Sequence, residues 1–155
     1  MKSRKSFGLA TLVLALSAGC GEAAGNGGTD PDPSVAPFVG DWEATAFTVT
    51  SVANPQLVED VIGLGATFDL NVQPSGSYTA TLNFVGQPSV ELGQISVSGN
   101  TVTLNVSFPS PRADVSTFSF VGNTQLILDG PTVYDFNSDG IDDDALAHIE
   151  LQKGN

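Results

Sequence analysis

The run Thr67-Phe68-Asp69-Leu70-Asn71-Val72-Gln73-Pro74-Ser75-Gly76-Ser77-Tyr78-Thr79-Ala80-Thr81-Leu82-Asn83-Phe84 alternates apolar and polar side chains on both sides of one turn. Phe68, Leu70 and Val72 take one parity; after Pro74-Ser75-Gly76, so do Tyr78, Ala80, Leu82 and Phe84. A period of two puts successive side chains on opposite faces of a strand, so the stretch predicts an antiparallel hairpin with one apolar face.

The same pattern recurs outward along the chain. Ile95 and Val97 lead into Ser98-Gly99-Asn100 and out through Val102, Leu104 and Val106. Phe118 and Phe120 lead into Gly122-Asn123 and out through Leu126 and Leu128. With a first strand around Trp42 to Val49 and a last one over Ala147 to Lys153, the chain is all-β, with about eight strands joined mostly by short turns. Such a meander must bury its apolar face and protect its edges. An up-and-down antiparallel barrel does both, its interior either filled by side chains or holding one small ligand; a two-sheet β-sandwich has the same periodicity. Only Pro55 to Gly65 departs from period two: Leu57, Val58, Val61, Ile62 and Leu64 recur at helical spacing and predict a short helix that could cover one barrel mouth.

The amino-terminal end follows different rules. Lys2, Arg4 and Lys5 precede an apolar run from Phe7 to Leu16, and Ser17-Ala18-Gly19 lead into Cys20, the one cysteine of 155 residues. Charge, apolar run and small residues in that order predict a secretory signal, too short for a permanent span of about 20 residues. Leu16-Ser17-Ala18-Gly19-Cys20 resembles a bacterial lipobox. That resemblance implies cleavage before Cys20, acyl chains such as palmitate on Cys20, and anchoring to a membrane through that lipid. It also implies the outer membrane of the cell envelope, because Gly21, not an aspartate, follows the cysteine. Residues 1–19 are then the signal and 20–37 the lipidated cysteine and a Gly-, Asp- and Pro-rich flexible tether; residues 38–155 are the barrel domain.

Cleavage would remove Lys2, Arg4 and Lys5 and leave Arg112 and Lys153 against seventeen acids, a charge of −15. Such a chain repels nucleic acid and anionic headgroups, and steers toward basic partners.

Phe38-Val39-Gly40-Asp41-Trp42 resembles the F-x-G-x-W signature that opens the first strand of lipocalins. The resemblance implies that Trp42 closes one end of the barrel and that a basic residue from the last strand, here Lys153, crosses its ring. It implies no chemistry at those residues; Phe38, Gly40, Trp42 and Lys153 form a barrel-closing motif.

Two further features bear on function. Asp135, Asn137, Asp139 and Asp143 place oxygen side chains at positions 1, 3, 5 and 9 of a loop, with Gly140 at 6 and the Ile141 carbonyl at 7. That spacing suits a structural calcium ion, and is similar to the Asp-x-Asn-x-Asp-Gly-x-x-Asp loops of integrin-type calcium-binding repeats. An Asp-rich turn whose side chains cap backbone amides accounts for the same residues. His148, the one histidine, alternates onto the outer face with Glu150 and Gln152, and no nucleophile elbow accompanies it. The chain therefore reads as a lipid-anchored binding protein of the cell envelope rather than an enzyme, holding a small hydrophobic ligand. The alternatives are an acidic module binding a basic protein, as in the lysozyme-inhibiting lipoprotein barrels it resembles in size and charge, and a structural envelope protein.

Overall fold

A computed structural model describes residues 32–154. The signal expected over 1–19, Cys20 and most of the expected tether lie outside the described residues. The strands are β1 (Gly40–Ser51), β2 (Val58–Asp60), β3 (Thr67–Val72), β4 (Ser77–Phe84), β5 (Gln87–Ser98), β6 (Thr101–Phe108), β7 (Arg112–Val121), β8 (Gln125–Tyr134) and β9 (Asp143–Lys153). Each strand from β3 to β8 pairs antiparallel with the next, and β1 lies between β3 and β9. β1 and β3 to β9 are therefore a closed eight-stranded barrel, and the sandwich alternative is excluded because β9 returns to β1 over Trp42↔Lys153 through Ser51↔Ala145.

The alternation read from the sequence sets which face turns inward. Leu70 opposes Ala80, Val72 opposes Tyr78, and Leu126 opposes Leu151, all of them buried. Two irregularities bend the wall. Between Ala44 and Ala46 the β1–β9 register shifts, and the Thr45 hydroxyl donates to the Glu150 carbonyl at 3.3 Å. Between Leu92 and Gly93 the β5–β6 register shifts, and Ser107 donates to the Leu92 carbonyl at 3.0 Å. Bulges of this kind supply the local bending that closing a sheet requires.

The barrel has two unlike ends. The closed end carries the start of β1, the end of β9 and the short turns after β3, β5 and β7. The open end carries the longer connections after β1 and β8. The main core lies toward the closed end and joins Val35, Phe38, Trp42, Leu70, Val72, Tyr78, Ile95, Val102, Leu126 and Leu151, with Phe118 and Phe120 packed on it. A second, smaller cluster of Val49, Val61 and Ala66 lies under the β1–β3 connection.

Two expectations are corrected. Pro55 to Gly65 forms no helix; it is a turn, the short strand β2 and a second turn, with Thr48↔Asp60 and Val49↔Glu59 paired. Its apolar residues make no helical stripe, because Val61 is buried while Leu57, Val58 and Leu64 are exposed. Val58, Val61 and Ile62 are β-branched, the segment is too short to nucleate a helix alone, and Val58–Asp60 gains ladder bonds from β1. Nor does the folded body begin at Phe38. Val35 is 2% exposed, Ala36–Phe38 is a 3-10 turn, and the Asp32 carbonyl accepts from the Val35 amide at 2.8 Å. Residues from Asp32 onward thus belong to the barrel rather than to the tether expected over 20–37. Composition averaged over that polar stretch conceals one valine that fits a slot built by distant strands.

Candidate functional site

Phe38 and Trp42 fill the closed end. The Phe38 ring meets Phe118 at 4.9 Å and Phe120 at 5.1 Å, both edge-on, and Trp42 lies 6.1 Å from Phe120. The indole N–H donates to the Phe38 carbonyl at 2.7 Å, so the buried polar edge of Trp42 is satisfied. Lys153, opposite Trp42 on β9, holds Nζ 5.1 Å from the centroid of the indole ring, within range of a cation–π contact. Gly40 makes room for it: with φ at +135°, any Cβ there would stand 2.8 Å from Lys153 Cε. The structure thus brings Phe38, Gly40, Trp42 and Lys153 together as packing. Two surface depressions flank them, of about 190 Å³ beside Asp41, Glu43 and Asn71, and about 300 Å³ beside Pro37, Phe120 and Lys153.

The open half is built differently. Strand partners share a face, so Ala80↔Glu91, Leu104↔Asp114 and Val106↔Arg112 turn three charged side chains toward the barrel interior. Tyr78 donates its hydroxyl to Glu91 Oε1 at 2.6 Å; Arg112 donates through Nη2 to Glu91 Oε2 and through Nε to Asp114 Oδ2 at 2.8 Å. Tyr78 itself is buried and packs over Gly93, where any Cβ would strike its ring at 2.7 Å. Burial first, then the hydrogen bond to Glu91, pushes the Tyr78 hydroxyl far above its usual range, so it stays a donor. Partial burial opposes the charge on Arg112, but Glu91 and Asp114 outweigh it and raise the guanidinium further.

These inward groups remain wet. The Arg112, Asp114 and Glu91 side chains are 45%, 40% and 20% exposed. Around them the inward positions of β7, β8 and β9 are small: Ser116, Gly130, Thr132, Ala145 and Ala147. Phe47, Phe68, Leu82 and Leu104, also inward, are only partly buried. The interior is therefore packed with rings toward the closed end; toward the other, Phe47, Leu82, Tyr134 and Phe136 pack on buried Val49, Val61 and Ala66, and the three charged side chains keep contact with water. Among the described residues the large exposed apolar side chains gather on that same half, Phe84, Val85, Phe108, Val133 and Ile141 among them, and Val121 alone lies at a closed-end turn.

Sequence reasoning missed Tyr78, Glu91, Arg112 and Asp114 as a group. One signal was available: Phe118 and Phe120 are inward, and the same parity carries back through Ser116 and Asp114 to Arg112.

The Asp-rich loop lies on the open end between β8 and β9. Asp135 Oδ1 and Oδ2 accept from the Asp139 and Gly140 amides at 3.2 and 2.8 Å, Asn137 Oδ1 from Asp139 at 2.9 Å, and Asp139 Oδ1 from Ile141 at 2.8 Å. The oxygen donors suit a hard cation, but as held they cap amides. Asp143 has joined β9 opposite Tyr134. Among the described residues no group of three or more His, Cys, Asp or Glu side chains is placed to hold a metal ion. His148 stands on the barrel surface, with Nδ1 2.6 Å from Asp129 and Nε2 3.4 Å from Glu150. The hydrogen bond with Asp129, opposed by burial and aided by Glu150, raises its pKa.

No protein-family model matches the chain, and no curated protein matches it. Solved structures are similar to it at low identity. EF1p2_mFAP2b, bound to DFHBI, is 17% identical with a TM-score of 0.49, over 78% of this chain and 97% of that one. A lipocalin-like protein from Bacteroides uniformis is 14% identical with a TM-score of 0.46, over 76% of this chain and 99% of that one. A redesigned β-barrel is 17% identical with a TM-score of 0.48, over 79% of this chain and 96% of that one.

Proposed function

We propose that this protein binds a small hydrophobic molecule in the open half of its barrel and is held at the cell envelope by lipid on Cys20. One observation carries the binding proposal: toward the open end the inward Arg112, Asp114 and Glu91 side chains keep contact with water, whereas the closed half is filled by Phe38, Trp42, Phe118 and Phe120. A lumen closed at one end and wet at the other gives an apolar molecule walls to bury against and a single way in. Binding rather than catalysis fits the outward placement of His148, held between two carboxylates and away from the interior. The anchor proposal rests on the lipobox resemblance at Leu16 to Cys20 and nothing else.

Native mass spectrometry of the protein, gently extracted and sprayed without denaturant, tests the binding proposal. An apolar mass that is retained at low collision energy and lost at high energy supports it; a bare protein that also ignores added alkyl probes defeats it. Replacing Cys20 by Ala should move the protein out of the membrane fraction, and persistence there would defeat the anchor. A second function, docking of a basic protein, has one observation in its favour: the open end carries both exposed apolar side chains, Phe84, Val85 and Ile141, and the acids Glu59, Asp135 and Asp142. A bare barrel in the mass spectrum would turn attention to that rim.

A further inference from the structure

The outer wall carries an apolar stripe where alternation calls for polar side chains. Val49 and Ser51 face inward and are buried, so Thr48, Thr50 and Val52 face out. Strand partners share a face: Thr50 stands between Val58 of β2 and Leu146 of β9, with Pro131 of β8 beyond Leu146. Val58, Leu146 and Pro131 are exposed, as is Val133, the next outward residue of β8. The outward positions of β3 and β4 are by contrast Thr67, Asp69, Asn71, Thr79, Thr81 and Asn83. A contiguous exposed apolar patch edged by polar groups marks an interaction site. Acids edge this one on both sides. Toward the closed end the same register sets Asp60, Thr48, His148 and Asp129 side by side. Toward the open end Asp144 pairs with Val133, and its carbonyl accepts from the Val52 amide at 3.0 Å. The one base in these rows, His148, is already held by Asp129 and Glu150. Among the described residues the other bases stand elsewhere: Arg112 is engaged by Glu91 and Asp114, and Lys153 lies over Trp42 at the closed end.

We propose that this stripe docks a basic amphipathic helix laid across β2, β1, β9 and β8. Its apolar face covers Val58, Leu146, Pro131 and Val133, and its lysines or arginines reach Asp60 and Asp129 on one side and Asp144 on the other. The inference rests on the docking reading, in which the partner is a basic protein, and needs no ligand in the lumen; it places that partner on the wall. Strands about 4.8 Å apart make a four-strand stripe about 14 Å long, the length of about ten helical residues. The acidic rows lie two residues, about 6.7 Å, to either side, close to the ~5–6 Å radius at which a helix carries its side chains. An apolar seam with charge along both edges is what an amphipathic helix presents. Charge selects the partner. A second copy would set Asp60, Asp129 and Asp144 against the same acids, and a chain of net charge −12 is repelled by anionic headgroups. A basic helix gains apolar cover and opposite charge together.

Fluorescence anisotropy of labelled synthetic peptides, titrated with the purified chain, tests the assignment. The probe is a leucine–lysine amphipathic helix of about 14 residues, ~21 Å long. Its controls are a scramble of the same composition with no apolar face, and the same helix with glutamate in place of lysine. The leucine–lysine helix should bind about tenfold or more tightly than the scramble, and the glutamate helix should not bind. V58T/L146T, which keeps every charge, should weaken binding about tenfold. D60N/D144N should weaken it severalfold and make it less sensitive to salt. F84S, at the β4–β5 turn, should change nothing. Equal binding of helix and scramble would reduce the effect to bulk charge and overturn the inference. A loss in F84S but not in V58T/L146T would move the partner to the open end, so that docking stands and the stripe falls. The same follows if cytochrome c, a folded basic protein, binds and the helix does not. If neither binds, docking fails and the inference with it. Uptake of phosphatidylcholine vesicles that V58T/L146T abolishes, with the helix unbound, would make the stripe a lipid contact instead. Circular dichroism of each variant confirms folding; D60N/D144N, at exposed positions, is a second test should V58T/L146T fail to fold.

Discussion

Substituting Phe38 by Ala tests whether the folded body includes the segment before β1. Phe38 is 1% exposed, packs edge-on against Phe118 and Phe120, and offers its carbonyl to the Trp42 indole. Removing a buried phenylalanine costs about 3–5 kcal/mol, through lost transfer energy and the cavity left behind. Each lost aromatic pair is worth about 0.5–1.5 kcal/mol beyond area, which places this site in the upper part of that range, near 4–5 kcal/mol. Domains of this size have total stabilities of about 5–15 kcal/mol. The midpoint should therefore fall by roughly 10–25 °C, at about 3–5 °C per kcal/mol for a domain of this length. Guanidinium unfolding followed by far-ultraviolet circular dichroism measures it without relying on Trp42, whose emission the substitution itself alters. Phe84→Ala, an exposed ring at the open end, is the control and should cost no more than about 0.5 kcal/mol. A Phe38→Ala cost below about 1 kcal/mol, or one equal to the control, would show that the barrel closes without this plug.

Lys153→Met should cost about 0.5–1 kcal/mol in the same unfolding assay, since the cation over Trp42 is lost while most of the stem is kept; no loss would mean the ammonium merely rests there. His148 has a raised pKa, so its protonated form stabilises the fold fully below the ordinary histidine value near 6.5, and that contribution disappears as pH rises through the elevated folded value. The side chain is 42% exposed, so the loss should be under about 1 kcal/mol; H148Q should flatten stability across that window, and an unchanged slope would assign it to other groups. Asp135→Ala should cost about 1 kcal/mol by freeing the Asp139 and Gly140 amides, equally with calcium and with chelator. A cost seen only with calcium would instead make the loop a calcium site.

Period-two alternation is local and strong, so Phe68 to Val72, Tyr78 to Phe84, Val102 to Val106 and Phe118 to Leu128 were legible as paired strands, and Pro74-Ser75-Gly76 and Ser98-Gly99-Asn100 marked where they reverse. Pro55 to Gly65 misled because five apolar residues happened to recur at helical spacing, while the deciding factor was an open stretch of β1 at Thr48–Thr50 able to pair with Val58–Asp60. Val35 was illegible for the same kind of reason: a single valine among polar residues carries no period, and its slot exists only once distant strands have closed. The Glu91–Arg112 pair joins residues 21 apart across a bulged ladder, so its members meet only after the shift between Leu92 and Gly93 is known. Lys153 over Trp42 needed only the first and last strands to be neighbours, which closure of an up-and-down barrel requires.

Fold stability does not account for three charged side chains facing inward. Arg112 and Asp114 are more than a third exposed, so their ion pairing is worth at most about 1 kcal/mol. Replacing a charged pair by apolar side chains of similar size is often neutral or favourable. The one firm structural demand is an acceptor for the buried Tyr78 hydroxyl, which the amide oxygen of a glutamine in place of Glu91 would also supply. The double substitution E91Q/R112L therefore keeps that acceptor, removes the charged pair and leaves Asp114 in water. Its unfolding free energy should stay within about 1 kcal/mol of the parent or rise. A loss of about 3 kcal/mol or more, the cost of breaking a fully buried pair, would make the network a structural strut of the barrel. The small residues on the same half are close contacts rather than gaps: any Cβ at Gly130 would strike the Ser116 hydroxyl oxygen, and Ala147 packs on the Val49–Val61–Ala66 cluster. Retained charge, rather than missing volume, therefore marks the open half, and it stops where Phe118 begins the ring-packed half.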